Sequence, residues 1–444
     1  MPRRNFYWLL GLTVVSLVCA AKVSRYGRVM SYALEQIDQR ALEPVSQQSV
    51  FEGALDGMMA RLDDYSAYIS PKTLGEFEET LDAHFSGVGV EILLDPQSGQ
   101  LTVGSPVVGG PAFEAGVRAG DRILRIDGKS TQGLSLDDIR DRMRGEVGKP
   151  ITLTILHQGE TAPLELKIAR REIHVSTVIG DTRNADGSWN YFVAGRDRLA
   201  CVRINSFSEK TEEELKQILD GLLEHRLRGL VLDLRNNPGG RLDSAVGICN
   251  LFIEPTAGDR GEIVRTRDRA GRTREVFFAT KGGSLGRFPM VVLVNQFSAS
   301  AAEIVAACLQ DHHRAVIVGQ RSFGKGTVQE LIDLEPNQGV LKLTTSSYWR
   351  PSNKNIHRRR DAAPSDDWGV LPDPGYEVKV EGKELGKLAR WRQQRDSFHP
   401  KPGGPSSPPG KDDVSQGYSD PQMDRALQYL DATIKPPSND ARRQ

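Results

Sequence analysis

Three polar side chains stand out for the company they keep: Ser300, Lys325 and Gln329. Ser300 lies in Asn295-Gln-Phe-Ser-Ala-Ser300-Ala-Ala-Glu-Ile304, and the other two lie in Arg321-Ser-Phe-Gly-Lys325-Gly-Thr-Val-Gln329. A serine hydroxyl becomes a nucleophile when a base takes its proton. A lysine amine can be that base once its pKa falls from about 10.4 to roughly 7 to 8, and desolvation moves it in that direction. Glycines on both sides of Lys325, with Phe323 and Val328 nearby, present a single amine in apolar surroundings. Gln329 is four residues on. If 327–332 is a strand it shares the face of Lys325, and its amide oxygen can hold the amine in line. The pattern is that of a hydrolase site.

Each feature also has a plainer explanation. Ser300-Ala-Ala-Glu303 spells a capping box, so Ser300 taken alone is an N-cap. Gly319 to Gly326 nearly spells the phosphate loop G-x-x-x-x-G-K-[ST], but Gly326 stands where the magnesium-binding hydroxyl belongs and strand-like residues follow. His312 and His313 are on the same helix as Ser300 but about 18 Å along it, which suits a helix C-terminus better than a catalytic partner. No G-x-S-x-G elbow occurs.

The elements that must position these residues have an α/β texture from about 176 to 380. Leu199-Ala-Cys-Val-Arg-Ile, Gly229-Leu-Val-Leu-Asp-Leu-Arg, Met290-Val-Val-Leu-Val-Asn and Arg314-Ala-Val-Ile-Val-Gly read as strands, the second and third as buried ones. Glu212 to Leu223 and Ala299 to Leu309 read as helices, so a layered sheet with crossovers is expected. The second strand runs into Asn236-Asn-Pro-Gly-Gly240, a loop whose backbone N–H groups have no bulky side chains in front of them. With the Ala301 amide it can form an oxyanion hole; an ordinary left-handed turn is the alternative.

Upstream, residues 28 to 66 carry apolar positions at helical spacing (Val50, Phe51, Ala54, Leu55, Met58, Met59, Leu62), predicting a helical arm with Pro71 as a breaker beyond it. From about 85 to 171 short alternating strands are separated by glycines, predicting a compact domain. Residues 400 to 418 are a Pro- and Gly-rich linker, and after them Asp420 and Pro421 open a helix with an apolar stripe at Met423, Leu427, Leu430 and Ile434, expected to dock back on the body.

Composition sets the outer bounds. With 444 residues and 38% apolar content the chain can bury a core in two or three domains. The 58 basic residues balance 58 acidic ones, so no global field favours nucleic acid, and a mean hydropathy of −0.41 excludes a polytopic membrane protein. Cys19, Cys201, Cys249 and Cys308 have neither metal-ligand nor disulfide-framework spacing. Arg3 and Arg4 precede an uncharged run over 5–21 that ends before Lys22, the pattern of an export signal. Val18-x-Ala20 loosely fits a cleavage site, and the run is close to the lower limit of about 17 residues for a spanning helix, so cleaved signal and anchor both stand. The residues before Cys19 depart from a lipoprotein box.

Taken together, the motifs resemble the carboxy-terminal processing peptidase (tail-specific protease) family. The resemblance is carried by Asp233-Leu-Arg-Asn-Asn-Pro-Gly-Gly240, the Ser300 and Lys325 segments, Asp-x-Tyr-Ser-x-Tyr68 and Gly369-Val-Leu-Pro-Asp373, in family order over about 30 to 380, and the tail helix over 422–430 also fits. Gly87-Val-Gly-Val90, Pro111-Ala-x-x-Ala-Gly116 and Ala119-Gly-Asp-x-Ile-Leu-x-Ile-Asp-Gly128 resemble a PDZ domain. The implied fold is multidomain α/β, with a crotonase-like layered-sheet peptidase core, an inserted PDZ domain and helical N- and C-terminal segments. The expected divisions are 1–22 signal or anchor, 23–84 helical, 85–172 PDZ, 173–385 peptidase, 386–419 linker and 420–444 tail.

The resemblance implies Ser300 as nucleophile, Lys325 as general base, Gln329 as its orienter, and Gly239, Gly240 and Ala301 as backbone oxyanion donors. It also implies that Gly87, Val88, Gly89 and Val90 receive the carboxylate of a substrate with a free, apolar C-terminus added as a strand. Arg144 is a candidate for coupling that event to the peptidase body, or else a solvated arginine. No metal or organic cofactor is needed. An exported chain in the periplasm or cell envelope is expected, with protein substrates, room for an adaptor or a homo-oligomer, and no nucleic acid. A PDZ scaffold without catalysis, and another hydrolase or acyl transferase on a related sheet, are the rivals. Phe297 stands where the family often has glycine, and 353 to 368, with His357-Arg-Arg-Arg360, is a local variation.

Overall fold

The computed structural model describes residues 25–95, 98–184, 186–396 and 418–434. The export segment over 5–21, Cys19 and residues 397–417 of the linker lie outside the described residues, whereas 386–396 of the expected linker belong to the helix Gly382–Asp396, which buries Leu388 and Trp391. The chain divides into two compact units, Met1–Leu74 with Gln329–Thr344, and Gly75–Val328 with Thr345–Gln444.

In the smaller unit the helical arm is two helices, Arg25–Arg40 and Gln47–Met59, rather than one continuous stripe. Pro44 lies in the break, where it cannot donate a helical hydrogen bond. Leu55 and Met59 are the buried residues of the second helix. Strand Ala67–Ile69 then pairs antiparallel with Val340–Lys342. The Asp63 carboxylate closes the connecting turn, accepting the N–H groups of Tyr65 (2.8 Å) and Ser66 (2.9 Å) and the Thr344 hydroxyl (3.1 Å). Pro71 does not stop the chain; it starts the helix Pro71–Leu81, a first-turn position where its missing N–H costs nothing.

The larger unit holds two separate cores. The first lies under a six-stranded antiparallel sheet in which strand Val90–Leu94 occupies one end and Leu164–Ala169 the other. Leu101, Ile123, Ile139, Leu153 and Ile155 are buried there, with helix Leu136–Met143 capped by the Ser135 and Asp138 capping box.

The second core surrounds a five-stranded sheet in the order Val178–Ile179, Leu199–Ile204, Gly229–Asp233, Met290–Val294, Val316–Gly319, parallel except for the first pair. Its central strands are buried on both faces, which is why they read as continuous apolar runs. Ala200, Val202, Leu230, Leu232 and Val292 face helices Thr211–Glu224, Leu242–Asn250 and Ala301–Asp311. Leu199, Cys201, Val231, Val291 and Leu293 face the other way, onto Met423, Ala426, Leu427 and Leu430 of the tail helix Pro421–Thr433. Without that helix a full sheet face would meet water, at roughly 1.5–3 kcal/mol for each large apolar side chain uncovered.

Candidate active site

Three loops leave the carboxyl ends of three neighbouring parallel strands, and these carry the candidate residues: 234–240 after Gly229–Asp233, 295–300 after Met290–Val294, and 320–326 after Val316–Gly319. A parallel α/β sheet gathers its loops at that edge, which explains how segments nearly ninety residues apart in sequence meet.

The loops are laced together by specific hydrogen bonds. The Asn236 N–H donates to Asn295 Oδ1 (3.0 Å) and Asn295 Nδ2 returns one to Asn236 Oδ1 (2.9 Å). Ser298 Oγ donates to the Leu234 carbonyl (2.8 Å), and the Ala299 N–H to the Asn237 carbonyl (2.9 Å). The Phe323 N–H donates to the Ser298 carbonyl at 2.9 Å, tying the lysine loop to the serine loop.

Ser300 is 7% exposed and adopts φ 55°, ψ −115°. An N-cap ordinarily has extended angles with negative φ. A non-glycine residue in so sparsely populated a region costs about 1–3 kcal/mol and persists only where its surroundings impose it. The surroundings here are Gly239 and Glu303. A Cβ on Gly239 would lie 2.7 Å from Ser300 Cβ and 2.8 Å from the Ala299 carbonyl, so the approach of the two loops requires glycine, and φ at 101° requires it again. A Cβ on Gly240 would lie 2.1 Å from the Phe207 carbonyl.

Glu303 is the hub that sequence reasoning took for half of a capping box. Its fully buried carboxylate accepts four hydrogen bonds: Ser322 Oγ (2.5 Å) and the Gly324 N–H (2.7 Å) on Oε1, the Lys325 N–H (2.8 Å) and the Ser300 N–H (2.9 Å) on Oε2. One oxygen thus holds the backbone nitrogens of Ser300 and Lys325 within about 6 Å of each other. Burial pushes the Glu303 carboxyl up to about 7, although these donors pull it back. Ser322 in turn accepts the Val370 N–H at 2.7 Å, so the Gly369-Val370 motif supports the hub from behind. The only advance signal for Glu303 was its place three residues after Ser300.

Lys325 lies in an irregular loop just before strand Thr327–Asp333, so strand alternation does not govern its side chain. Both flanking glycines are packed against the 353–368 segment: a Cβ on Gly324 would meet Arg358 Cβ at 2.7 Å, and one on Gly326 would meet the His357 nitrogen at 2.2 Å. Gln329 belongs to the smaller unit, where its Nε2 donates to Thr344 Oγ1 at 3.3 Å.

Among the proposed oxyanion donors, the Gly239 N–H is already given to Asn237 Oδ1 at 2.8 Å. The pattern Asn-x-Gly was the signal for that turn. Just upstream, Arg235 is buried between Asp233 (2.7 Å) and Asp420 (2.9 Å). Burial opposes its charge, yet these two carboxylates raise its pKa well above the ordinary value. Asp420 also caps the tail helix, accepting the N–H groups of Gln422 and Met423. His312 caps the C-terminal end of helix Ala301–Asp311, with Nε2 2.7 Å from the Glu262 carbonyl oxygen.

In the antiparallel domain, Gly87 is paired opposite Arg171 and Val90 opposite Pro106. Gly89, at φ 75°, turns the chain so that the Val88 and Gly89 carbonyls accept the Ala112 and Val107 N–H groups, both at 2.9 Å. Arg144 pairs with Glu79 (3.1 Å) and Glu76 (3.9 Å) of helix Pro71–Leu81. A cleft of ≈ 1100 Å³ connects this domain to the sheet edge, lined by Val90 and Glu91 on one side and by Asn236, Phe297 and Arg392 on the other. Among the described residues no group of His, Cys, Asp and Glu could hold a metal, and no helix is long and apolar enough to cross a membrane.

Residues 198–374 match peptidase family S41, and residues 102–156 match a PDZ domain. The molecule is therefore a PDZ-bearing serine peptidase with a multidomain α/β fold. The chain is 36% identical over 390 residues to a carboxy-terminal-processing protease of Bartonella bacilliformis, covering 84% of this chain and 82% of that one. It is 32% identical over 375 residues to the carboxy-terminal processing protease CtpA of Bacillus subtilis, covering 81% and 76%. A crystal structure of an S41 protease from Bacteroides fragilis shares the fold, with a TM-score of 0.50 at 16% identity over 91% of this chain and 98% of that one. The chain belongs to the carboxy-terminal processing protease family.

Proposed function

We propose that this chain is an exported endopeptidase that cuts proteins near their C-termini through an acyl-enzyme on Ser300. The observation that carries the reading is the convergence of the strained Ser300 and the lysine loop on one buried carboxylate. Lys325 Nζ takes the Ser300 hydroxyl proton as Oγ attacks the scissile carbonyl, and it returns that proton to the leaving amine. Water, deprotonated in the same way, then releases the acyl group. The Gly240 and Ala301 N–H groups receive the oxyanion; Gly239, whose own N–H is engaged, supplies the room that brings its loop onto Ser300. Gln329 is assigned as the lysine's orienter on its sequence spacing and on the family resemblance.

In this reading residues 85–172 capture the substrate and 173–385 form a crotonase-like peptidase core. Val90–Leu94, an end strand of its sheet, offers an edge to which a C-terminal peptide can add, with the turn over Gly87 to Val90 receiving the carboxylate. The cleft beside Val90 supports delivery from that edge toward Phe297 and Asn236. The Arg144 pairs with Glu79 and Glu76 make coupling through the helix before the PDZ domain the more direct route. The basic N-terminus and apolar run over 5–21 support export of the chain to the periplasm or cell envelope.

The test is digestion of an unstructured protein with an apolar C-terminus, free or amidated. Cleavage of the free form and loss of it on amidation are expected. Equal cleavage of both forms would remove the PDZ domain from substrate selection.

A further inference from the structure

Glu91 is a carboxylate that the fold leaves without a counter-ion. It lies on the end strand Val90–Leu94, whose residues alternate: Val90, Ile92 and Leu94 pack toward the domain core, and Glu91 and Leu93 are exposed on the opposite face. Glu91 lines the cleft between this domain and the sheet edge. Among the described residues its carboxylate has neither a hydrogen-bond donor nor an ion-pair partner. Partial burial in the cleft and the negative charge of Asp396 both push it above the ordinary carboxylate range, the opposite of what a bound cation does.

The arginines that share the cleft are engaged elsewhere. Arg203 holds both carboxylate oxygens of Asp396, at 2.5 and 3.0 Å, and donates to the Gly180 carbonyl at 2.9 Å. Arg183 donates to the Asp396 and Gly187 carbonyls and lies 3.5 Å from the Trp189 ring centroid. Arg235 pairs with Asp233 and Asp420, and Arg392 with Asp181.

Strand geometry limits what can reach Glu91. A peptide added antiparallel to this edge, with its carboxylate at the turn over Gly87 to Val90, sets its last residue beside Val90, its penultimate residue beside Glu91 and the one before beside Ile92. Residues directly opposite share a face, so the penultimate side chain points into the cleft with Glu91 while its two neighbours enter the apolar side. The carboxylate leans over the next strand, where a Cβ on Gly104 would lie 3.2 Å from Glu91 Cδ. The added strand runs about 4.8 Å outside Val90–Leu94, so a short side chain falls short and a lysine or arginine reaches across.

We propose that Glu91 is a specificity-determining residue, selecting substrates with Lys or Arg at the penultimate position of an otherwise apolar C-terminus. The inference rests on the capture reading above. One ion pair open to solvent on one side contributes a few-fold, so lysine should be favoured over glutamine about threefold. Over glutamate, which Glu91 repels, the preference should be about tenfold.

The experiment uses the full chain and one unstructured protein substrate ending in Val-X-Val, with X lysine, glutamine or glutamate. The parent is expected to rank them in that order in kcat/KM, with the difference in KM. Glu91→Gln is expected to bring the three within about twofold of one another, and Glu91→Lys to reverse the order. If one variant fails to fold, the other decides. Lysine moved to the position before X, where it faces the apolar side, is expected to lose its advantage. Equal kcat/KM for the three in the parent, or an unchanged order in the variants, overturns the proposal; the capture reading then still stands if amidating the C-terminus abolishes cleavage. Cleavage that ignores amidation refutes the capture reading and this inference with it. A parent that cuts none of the three refutes the peptidase reading and both.

Discussion

Replacing Glu303 by glutamine should weaken the enzyme and, as pH rises, strengthen the fold. The carboxyl is raised from an ordinary 4.5 to about 7 by burial, so its ionised form is disfavoured in the folded chain. The sign follows from linkage. Below about pH 4.5 the group is protonated in both states and has no effect; between 4.5 and 7 the unfolded chain ionises first; above 7 the full cost is present. A displacement of that size costs up to about 3 kcal/mol. Glutamine does not ionise, so the stability of Glu303→Gln relative to the parent should move in its favour by up to about 3 kcal/mol between pH 4.5 and pH 8.

Any fixed offset from repacking cancels in that comparison, and every other titrating group is common to both proteins. Activity runs the other way. Glutamine has one acceptor oxygen where four donors converge, so one of the two pairs, the Ser300 and Lys325 N–H groups on Oε2 or the Ser322 hydroxyl and Gly324 N–H on Oε1, loses its acceptor and meets an NH2 group instead. With about 1–3 kcal/mol at stake for each orphaned buried donor, turnover should fall by at least about tenfold. Urea unfolding at pH 5, 6, 7 and 8, with hydrolysis at pH 8, reads both effects. A stability difference flat across that range, or parental turnover in a folded variant, would refute the reasoning.

Asp420→Ala should destabilise by about 3–5 kcal/mol, because it strips one partner from a buried arginine and uncaps the tail helix; a urea midpoint within about 0.5 kcal/mol of the parent would contradict it. Asp233 and Asp420 are held below the ordinary carboxylate range, burial notwithstanding, by Arg235, so their contribution should be present at neutral pH and lost as pH falls from that range through their lowered values, read as a falling urea midpoint in acid. Gly239→Ala should cut turnover at least tenfold while far-ultraviolet circular dichroism is retained, since its Cβ would sit 2.7 Å from Ser300 Cβ; parental turnover would show that the loops need not approach so closely. Cys201, whose thiol burial pushes up to about 12, together with the buried Cys249 and Cys308, should react with a disulfide reagent only as the protein unfolds; stoichiometric labelling of the native chain within seconds would contradict the packing of the sheet.

Much of the site was legible because its local signals agree. Ser300 and Lys325 are flanked by residues too small to hide them, and each follows an apolar run that reads as a strand. The strands over 199–204, 229–233 and 290–294 were readable because both faces are covered, so each opens with at least four consecutive residues without a polar side chain, Arg203 and Asp233 falling only near the ends. What was not legible depends on partners far away in the chain. Glu303 looks the same whether it caps one helix or gathers donors from residues 322 to 325. The pair of Arg235 with Asp420 spans 185 residues and carries no periodic signature. Gly239 reads as an open amide until the Asn237 side chain is seen to turn back on it. Pro71 breaks a helix or begins one with the same residue type, and only the preceding strand decides.

The central claim is covalent chemistry at Ser300 assisted by Lys325. Acid quenching during turnover of an unstructured protein substrate, followed by peptide mapping, measures it directly. An acyl adduct is expected on the peptide that contains Ser300, absent from Ser300→Ala and formed far more slowly by Lys325→Ala. Hydrolysis by Ser300→Ala at the parental rate, or an adduct on any other residue, would contradict it.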